Sequence, residues 1–261
     1  MTVAGLDAYA PEVREEAARL RDVVCRLHGE LPRWELVVWT AGNVSERLRS
    51  ADLFVIKPSG VAYEDLTPES MVVCDLDGVL VDGTRAPSSD TAAHAYVYRH
   101  MPEVGGVVHT HSTYATAWAA RAEPVPCVLT MMADEFGGEV PIGPFALIGD
   151  DSIGRGIVET LRSSRSPAVL MRNHGPFTIG KDGRSAVKAA VMVEEVARTV
   201  HIARQLGEPL PIAAAHIDHL YERYQNVYGQ SSAPAPAPAP PAAPQQHAPQ
   251  APARRDQEES R

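Results

Sequence analysis

Two histidines stand two residues apart in the segment V-V-H-T-H-S, Val107–Ser112. The apolar residues before them predict a strand, on which alternate side chains point to the same side, so His109 and His111 would converge. A lone histidine is more often an ordinary hydrogen-bonded residue, and two imidazoles rarely suffice for a metal. We therefore expect a third ligand from His174, in R-N-H-G-P-F. Together these residues predict a site for a divalent cation.

Three short segments rich in glycine and serine could bind an anion. They are G-N-V-S at Gly42–Ser45, K-P-S-G at Lys57–Gly60 and P-S-S-D at Pro87–Asp90. Small residues let backbone N–H groups approach an anion closely, and Lys57 supplies a full positive charge. Each segment alone is equally typical of a turn or a helix cap. Their combination with the histidine pair favours a phosphate cradle.

Carboxylates and tyrosines complete the set of groups that could transfer protons. Thr130–Phe136 reads T-M-M-A-D-E-F and offers Asp134 and Glu135, and Asp218–Gln230 is rich in tyrosine. Either segment alone is also consistent with exposed charges and a packed helix end. They become candidates only beside a metal and a phosphate site.

Hydrophobic periodicity predicts the elements that must position these groups. An amphipathic helix is expected over Pro11–Leu31, with Pro11 in its first turn. Further helices are predicted at Asp90–Met101, Thr113–Ala120, Ile153–Leu161, Ser185–Leu206 and Ile212–Tyr224. Strands are predicted at Leu36–Trp39, Leu53–Ile56, Met71–Asp75, Val79–Asp82, Gly106–His109, Val125–Met131, Ala168–Arg172 and Phe177–Ile179. This pattern indicates a layered α/β domain.

Composition limits the classes of function. A chain of 261 residues with 44% hydrophobic content can bury one sizeable core, and a formal net charge of -9 argues against binding to the nucleic-acid backbone. No apolar stretch in the first thirty residues resembles the core of a secretory leader, so we expect none, and no later stretch is apolar for long enough to span a membrane. Three widely separated cysteines favour reduced thiols and a cytoplasmic protein. The alanine- and proline-rich residues 231–261 are expected to be disordered, which leaves residues 1–230 as the folded domain.

The motifs occur in a recognisable order. That order is G-N-V-S, K-P-S-G, P-S-S-D, H-T-H-S, A-D, N-H-G-P-F and V-Y-G-Q. The ordered set, which covers roughly Leu36 to Gln230, resembles the class II aldolase and epimerase family. The resemblance implies a single α/β domain, layered α/β/α, with a central, mostly antiparallel sheet flanked by helices. It also implies a homotetramer with active sites at subunit interfaces.

The resemblance assigns a role to each candidate residue. It implies one divalent metal per subunit, held by Asp90, His109, His111 and His174. Imidazoles together with an aspartate suit zinc, with manganese or cobalt as alternatives. It places phosphate and substrate contacts on Gly42, Asn43, Lys57, Ser59, Gly60, Ser88, Ser89 and Thr130. It places proton transfer on Asp134 and Tyr228, and a substrate-side histidine at His219, with His216 as the alternative.

The activity implied is the interconversion of L-ribulose 5-phosphate and D-xylulose 5-phosphate. Carbon 4 of this ketose is not next to the carbonyl, so simple deprotonation there gives no stabilised carbanion. Retro-aldol cleavage between carbons 3 and 4, followed by re-addition, avoids that difficulty, because a cation can stabilise the resulting enediolate. The alternatives are a class II aldolase or decarboxylase acting on a related sugar phosphate, a dehydratase, and a non-enzymatic adducin-like interaction module. Aldolases of the family carry glutamate where Asp90 stands, which favours the epimerase.

Overall fold

Within residues 5–226, the part of the chain that the computed structural model describes, seven α-helices surround one eight-stranded sheet. The helices are α1 Pro11–Arg33, α2 Thr91–His100, α3 Thr113–Arg121, α4 Thr130–Phe136, α5 Ser152–Leu161, α6 Gly183–Leu206 and α7 Ala214–Asn226. The strands are β1 Asn43–Arg47, β2 Leu53–Ile56, β3 Val72–Asp75, β4 Leu80–Asp82, β5 Gly106–His109, β6 Ile142–Gly143, β7 Ala168–Met171 and β8 Gly175–Gly180. Tyr228 and the predicted disordered tail lie outside these residues.

The sheet has the order β4-β3-β2-β1-β5-β8-β7-β6. Every pair of neighbouring strands is antiparallel except β6 and β7, which are parallel. This confirms the mostly antiparallel sheet. Strands β1, β5 and β8 lie at its centre, so residues carried at their ends are held by ladders on both sides.

The two faces of the sheet bury different helices because successive strand residues point in opposite directions. On β5, Val107 packs with residues of α2 and α5, whereas Val108 packs with α1 and α6. Ala168 and Leu170 of β7 pack with α3, α4 and α6 on the second face. The result is the α/β/α layering expected from the sequence. Within residues 5–226, no helix combines the length and the apolar character needed to cross a bilayer.

Two predicted strands are wrong. Leu36–Trp39 is a loop, because Trp39 has a φ of 58°, which breaks the extended conformation, and its side chain is exposed. Of the predicted strand Val125–Met131, only Val125 forms a bridge, with Val140. Pro124 and Pro126 flank that residue and have no N–H group for a ladder.

Candidate metal centre

The end of β5, the loop after it and the turn before β8 bring the three predicted histidine ligands together. His109 is the last residue of β5, His111 follows two residues later, and His174 directly precedes β8. One ring nitrogen from each histidine lies within 4.8 Å of the other two. The Nε2 atoms of His109 and His111 are 2.9 Å apart. The geometry therefore suits a shared cation, as three imidazoles with open neighbouring positions suit zinc.

The surroundings of His109 fix which nitrogen faces this point. Its Nδ1 lies 3.0 Å from the carbonyl oxygen of Pro176, which can only accept a hydrogen bond, so Nδ1 carries the proton. Nε2 then keeps its lone pair for a ligand. Phe177 stacks on the same ring, with 4.0 Å between centroids, and holds its plane.

Burial keeps the three rings uncharged. It lowers the pKa of His109 to about 3, against the opposing effect of Asp90. Burial also lowers the pKa of His111 and of His174, and Asp90 again acts in the opposite direction. Neutral imidazoles are the form that binds metals, so the site is ready for a cation at neutral pH.

Asp90 is almost fully buried and lies near enough to the three histidines to interact with them electrostatically, but among the described residues it is outside the group of ligand atoms that lie within 4.8 Å of one another. Its Oδ2 accepts a 2.7 Å hydrogen bond from the amide of Asn43, whereas its Oδ1 is buried and has no partner among the described residues. Burial would raise the pKa of Asp90, but the neighbouring histidines and the hydrogen bond from Asn43 together outweigh it, so the pKa is lowered. A buried, ionised carboxylate with a free oxygen is what a divalent cation would satisfy.

The three segments predicted to form an anion cradle meet beside Asp90. The backbone N–H of Ser88 donates to the carbonyl of Lys57, and that of Ser59 donates to the carbonyl of Ala86. The amide of Asn43 donates to the hydroxyl of Ser88 at 2.9 Å. The fold thus joins distant parts of the sequence in one cluster.

Gly42 and Lys57 adopt constrained positions in this cluster. Gly42 has a φ of 78°, and a Cβ there would lie 2.9 Å from the carbonyl oxygen of His109. The Lys57 side chain is buried, and its Nζ donates to the carbonyl of Thr40 at 3.0 Å. Burial lowers the pKa of Lys57. Ser59, Gly60 and Ser89 are exposed at the edge of the cluster.

The predicted proton-transfer residues lie in other parts of the chain. Thr130 and Asp134 are on α4, which packs against α7, and an Asp134 oxygen lies 3.7 Å from Arg223 of that helix. His219 is exposed on α7. Among the described residues, the group of metal-ligand atoms around the histidines does not include Asp134. Tyr228 lies outside the described residues.

The sequence reasoning missed a hydrogen-bonded chain behind Asp90. Ser45 Oγ lies 2.7 Å from His94 Nδ1 and 2.7 Å from the hydroxyl of Tyr98, and all three residues are fully buried. Burial lowers the pKa of His94 to about 4, so its ring is neutral. The sequence spacing could have indicated that His94 lies near Asp90, because His94 comes four residues later, one turn along a predicted helix.

Glu194 was also missed, although it fixes the segment after His111. Its two carboxylate oxygens accept hydrogen bonds of 2.9 Å from the backbone N–H groups of Tyr114 and Ala115, in the first turn of α3. A carboxylate there satisfies donors that have no partner inside the helix. Glu194 is 80 residues from Tyr114 and 79 from Ala115 in the sequence, so no local motif indicated these hydrogen bonds.

Known proteins are similar to this chain in sequence and in fold. Residues 22–201 match the family described as the class II aldolase and adducin N-terminal domain. An L-ribulose-5-phosphate 4-epimerase, UlaF of Salmonella paratyphi B, is 44% identical over 201 residues, which cover 74% of this chain and 88% of the relative.

Two solved structures of aldolases are also similar. An L-fuculose 1-phosphate aldolase superposes with a TM-score of 0.75 at 26% identity, covering 79% of this chain and 96% of that one. The L-fuculose-1-phosphate aldolase of Thermus thermophilus gives a TM-score of 0.60 at 28% identity, covering 74% of this chain and 99% of that one.

Proposed function

The chain belongs to the class II aldolase and adducin N-terminal domain family, and we propose that it is the epimerase that interconverts L-ribulose 5-phosphate and D-xylulose 5-phosphate. The observation that carries this proposal is the convergence of His109, His111 and His174 near the buried Asp90 carboxylate. The 44% identity to an L-ribulose-5-phosphate 4-epimerase supports the choice of substrate.

The residues present fit a divalent cation, which we propose is zinc. Three neutral imidazoles and one ionised carboxylate with a free oxygen match its preferred donors, and manganese or cobalt would accept the same set. When bound, the cation would supply Lewis-acid stabilisation of the negative charge that develops on the oxygens of the cleaved ketose. His109, His111, His174 and Asp90 would hold it.

The other proposed roles belong to side chains of the protein. Removal of the proton from the carbon 4 hydroxyl starts cleavage of the bond between carbons 3 and 4. The aldehyde fragment then turns over and accepts the carbon nucleophile on its other face. We assign the two proton transfers to Asp134 and Tyr228. The cluster of Asn43, Lys57 and Ser88 would retain the phosphate while the fragment turns.

We further propose a homotetramer in which one subunit supplies the histidines and its neighbour supplies Asp134. The separate locations of the histidines and of Asp134 in one chain support this arrangement. Subunits carrying His109→Ala and subunits carrying Asp134→Asn should each be inactive alone. Co-expressed, they should recover about a quarter of the wild-type activity, because random neighbours rebuild that share of interfacial sites. No recovery in mixed tetramers would refute shared sites.

A class II aldolase is the second candidate, and the similarity to L-fuculose 1-phosphate aldolases favours it. Asp90 argues against it, because its side chain is one methylene shorter than the glutamate that the family resemblance implies for aldolases. It therefore suits a place at the cation better than the role of a base at the substrate.

Product analysis separates the two activities. The purified protein is incubated with L-ribulose 5-phosphate, and the products are followed by NMR. Formation of D-xylulose 5-phosphate without free glycolaldehyde phosphate supports the epimerase, whereas net cleavage supports the aldolase and refutes our proposal. His109→Ala should abolish both activity and bound metal, and His100→Ala, which removes an exposed histidine of α2, serves as the matched control.

We also propose that the protein is cytoplasmic, and its cysteines are consistent with this location. Cys25, Cys74 and Cys127 are all free thiols. Burial raises the pKa of each of these thiols, which keeps them protonated and unreactive.

A further inference from the structure

We propose that Tyr63 is a positioning residue for the phosphate group of the substrate: its hydroxyl holds the carbonyls of Ala41 and Gly42 and so aims the N–H of Gly42 at the anion. The inference rests on the proposed function, since it requires a substrate that carries a phosphate. Gly42 is already among the predicted phosphate contacts, whereas the sequence motifs assigned no role to Tyr63.

The loop before β1 is held by two side chains. The Tyr63 hydroxyl donates to the carbonyl of Ala41 at 2.7 Å, with the carbonyl of Gly42 at 3.3 Å as a weaker second acceptor. Lys57 Nζ donates to the preceding carbonyl, that of Thr40, at 3.0 Å. In the described part of the chain, no backbone N–H donates to any of these three carbonyls. The two side chains therefore fix the orientation of the peptide groups in this loop.

The planar peptide group links this contact to the direction of the next N–H. In a trans peptide the C=O of one residue and the N–H of the next point in opposite directions, and none of the described peptide bonds is cis. Because the carbonyl of Ala41 points to Tyr63, the N–H of Gly42 points away from it. Gly42 is buried, and its N–H donates to no acceptor among the described residues. A buried donor without a partner costs free energy, which a bound ligand would recover.

The surroundings of Gly42 favour an anion as that ligand. Asn43 follows directly, and its side-chain amide donates to the hydroxyl of Ser88 in the cluster proposed to retain the phosphate. Lys57 brings a positive charge to the same loop, with its Nζ 5.3 Å from the centre of the Tyr63 ring. Backbone N–H groups close to a cation are donors that phosphate groups use. Burial raises the pKa of Tyr63 above its usual range, so its hydroxyl stays protonated and remains a donor.

Tyr63→Phe tests the hydroxyl alone, because the ring and its contact with Lys57 are kept. The Kd for inorganic phosphate, measured on the full, zinc-loaded chain by phosphorus NMR titration, should rise about five- to tenfold, as expected for one lost hydrogen bond. The KM for L-ribulose 5-phosphate should rise by a similar factor with little change in kcat, since an anchoring contact acts equally on the ground state and the transition state. The Kd for Zn²⁺ should not change.

Tyr96→Phe is the matched control. It makes the same change at a partly buried tyrosine of α2 and should alter none of these constants. Amide hydrogen exchange adds a measurement that needs no variant. Inorganic phosphate should slow exchange in the wild-type peptide that contains Gly42, because the anion accepts from this N–H, and it should slow exchange less in Tyr63→Phe.

The outcomes distinguish this inference from the proposed function. A wild-type protein that neither binds phosphate nor converts L-ribulose 5-phosphate would overturn the proposed function. A wild type that does both, with an unchanged Kd for phosphate in Tyr63→Phe, would overturn the role of Tyr63 alone. Equal losses of affinity for phosphate and for Zn²⁺ in Tyr63→Phe would also overturn that role, because they would indicate a general disturbance of the site. Exchange at Gly42 that does not respond to phosphate in the wild type would do the same.

Discussion

Replacing His28 by glutamine should make the stability of the fold less sensitive to acid. His28 is fully buried on α1, where its Nδ1 lies 2.7 Å from the carbonyl of Val24 and its Nε2 accepts a 2.9 Å hydrogen bond from the N–H of Val44 on β1. Burial lowers its pKa from 6.5 to about 3. Protonation would break the bond to Val44 and place a charge in the core.

The magnitude follows from proton linkage. Because the folded pKa is depressed, the contribution of His28 is fully present above pH 6.5 and declines as the pH falls toward 3. Between pH 7 and pH 5 the unfolded chain gains a proton that the folded chain does not, which costs about 2 kcal/mol. Glutamine can still accept from Val44 but does not titrate.

The assay is urea unfolding at pH 7 and pH 5, at one protein concentration, for the wild type and His28→Gln. The wild type should lose about 2 kcal/mol more unfolding free energy than the variant across this range. Other buried histidines are present in both proteins and cancel in the comparison. His100→Gln removes an exposed histidine and serves as the control. Equal losses of unfolding free energy in the wild type and His28→Gln would refute the reasoning that His28 is neutral in the folded protein.

Three further predictions concern the site. Gly42→Ala should lower activity and cost about 1–3 kcal/mol of stability in urea unfolding, because it combines a φ of 78° with a clash at the His109 carbonyl. Gly29→Ala, on α1 with open space around it, should instead be neutral or stabilising, and the opposite order would contradict the argument. Glu194→Gln should cost about 1–2 kcal/mol, because the amide NH2 cannot accept, so one of the two charge-assisted hydrogen bonds at the start of α3 is lost and the other loses its charge; it is measured in the same way, and an unchanged midpoint would refute it. Tyr228→Phe should lower epimerisation without loss of bound metal, measured by elemental analysis beside His109→Ala, because it removes a proton donor and not a ligand.

Periodicity predicted the long elements well, since their burial patterns are regular. Helix α1 was expected at Pro11–Leu31 and is found at Pro11–Arg33, and β5 was expected and found at Gly106–His109. Strand β1 was not predicted, because N-V-S-E-R contains one apolar residue and its polar side chains are satisfied by distant partners. That strand was instead placed over L-V-V-W, which is a loop that buries Leu36 and exposes Val38 and Trp39.

Candidate-site residues were predictable where their type and their spacing along the sequence indicated a shared role. His109 and His111 followed from the spacing along a strand, and His174 from the need for a third ligand. The bonds of Asn43 to Ser88 and Asp90 span 45 and 47 residues and could not be read from either segment alone. The structure confirms that the three histidines converge, whereas the binding of a metal by them and Asp90, and the roles of Asp134, His219 and Tyr228, stay predictions.

The register of the central strands links the candidate site to the stability of the sheet. Asn43 on β1, His109 on β5 and Phe177 on β8 lie opposite one another across the two ladders. A slip of one residue in β5 would turn His109 to the opposite face of the sheet and remove it from His111 and His174. A cation bound to the three histidines would therefore stabilise this register, by an amount that grows with the logarithm of its concentration above the Kd. We therefore expect strand pairing and cation binding to be lost together when the protein unfolds.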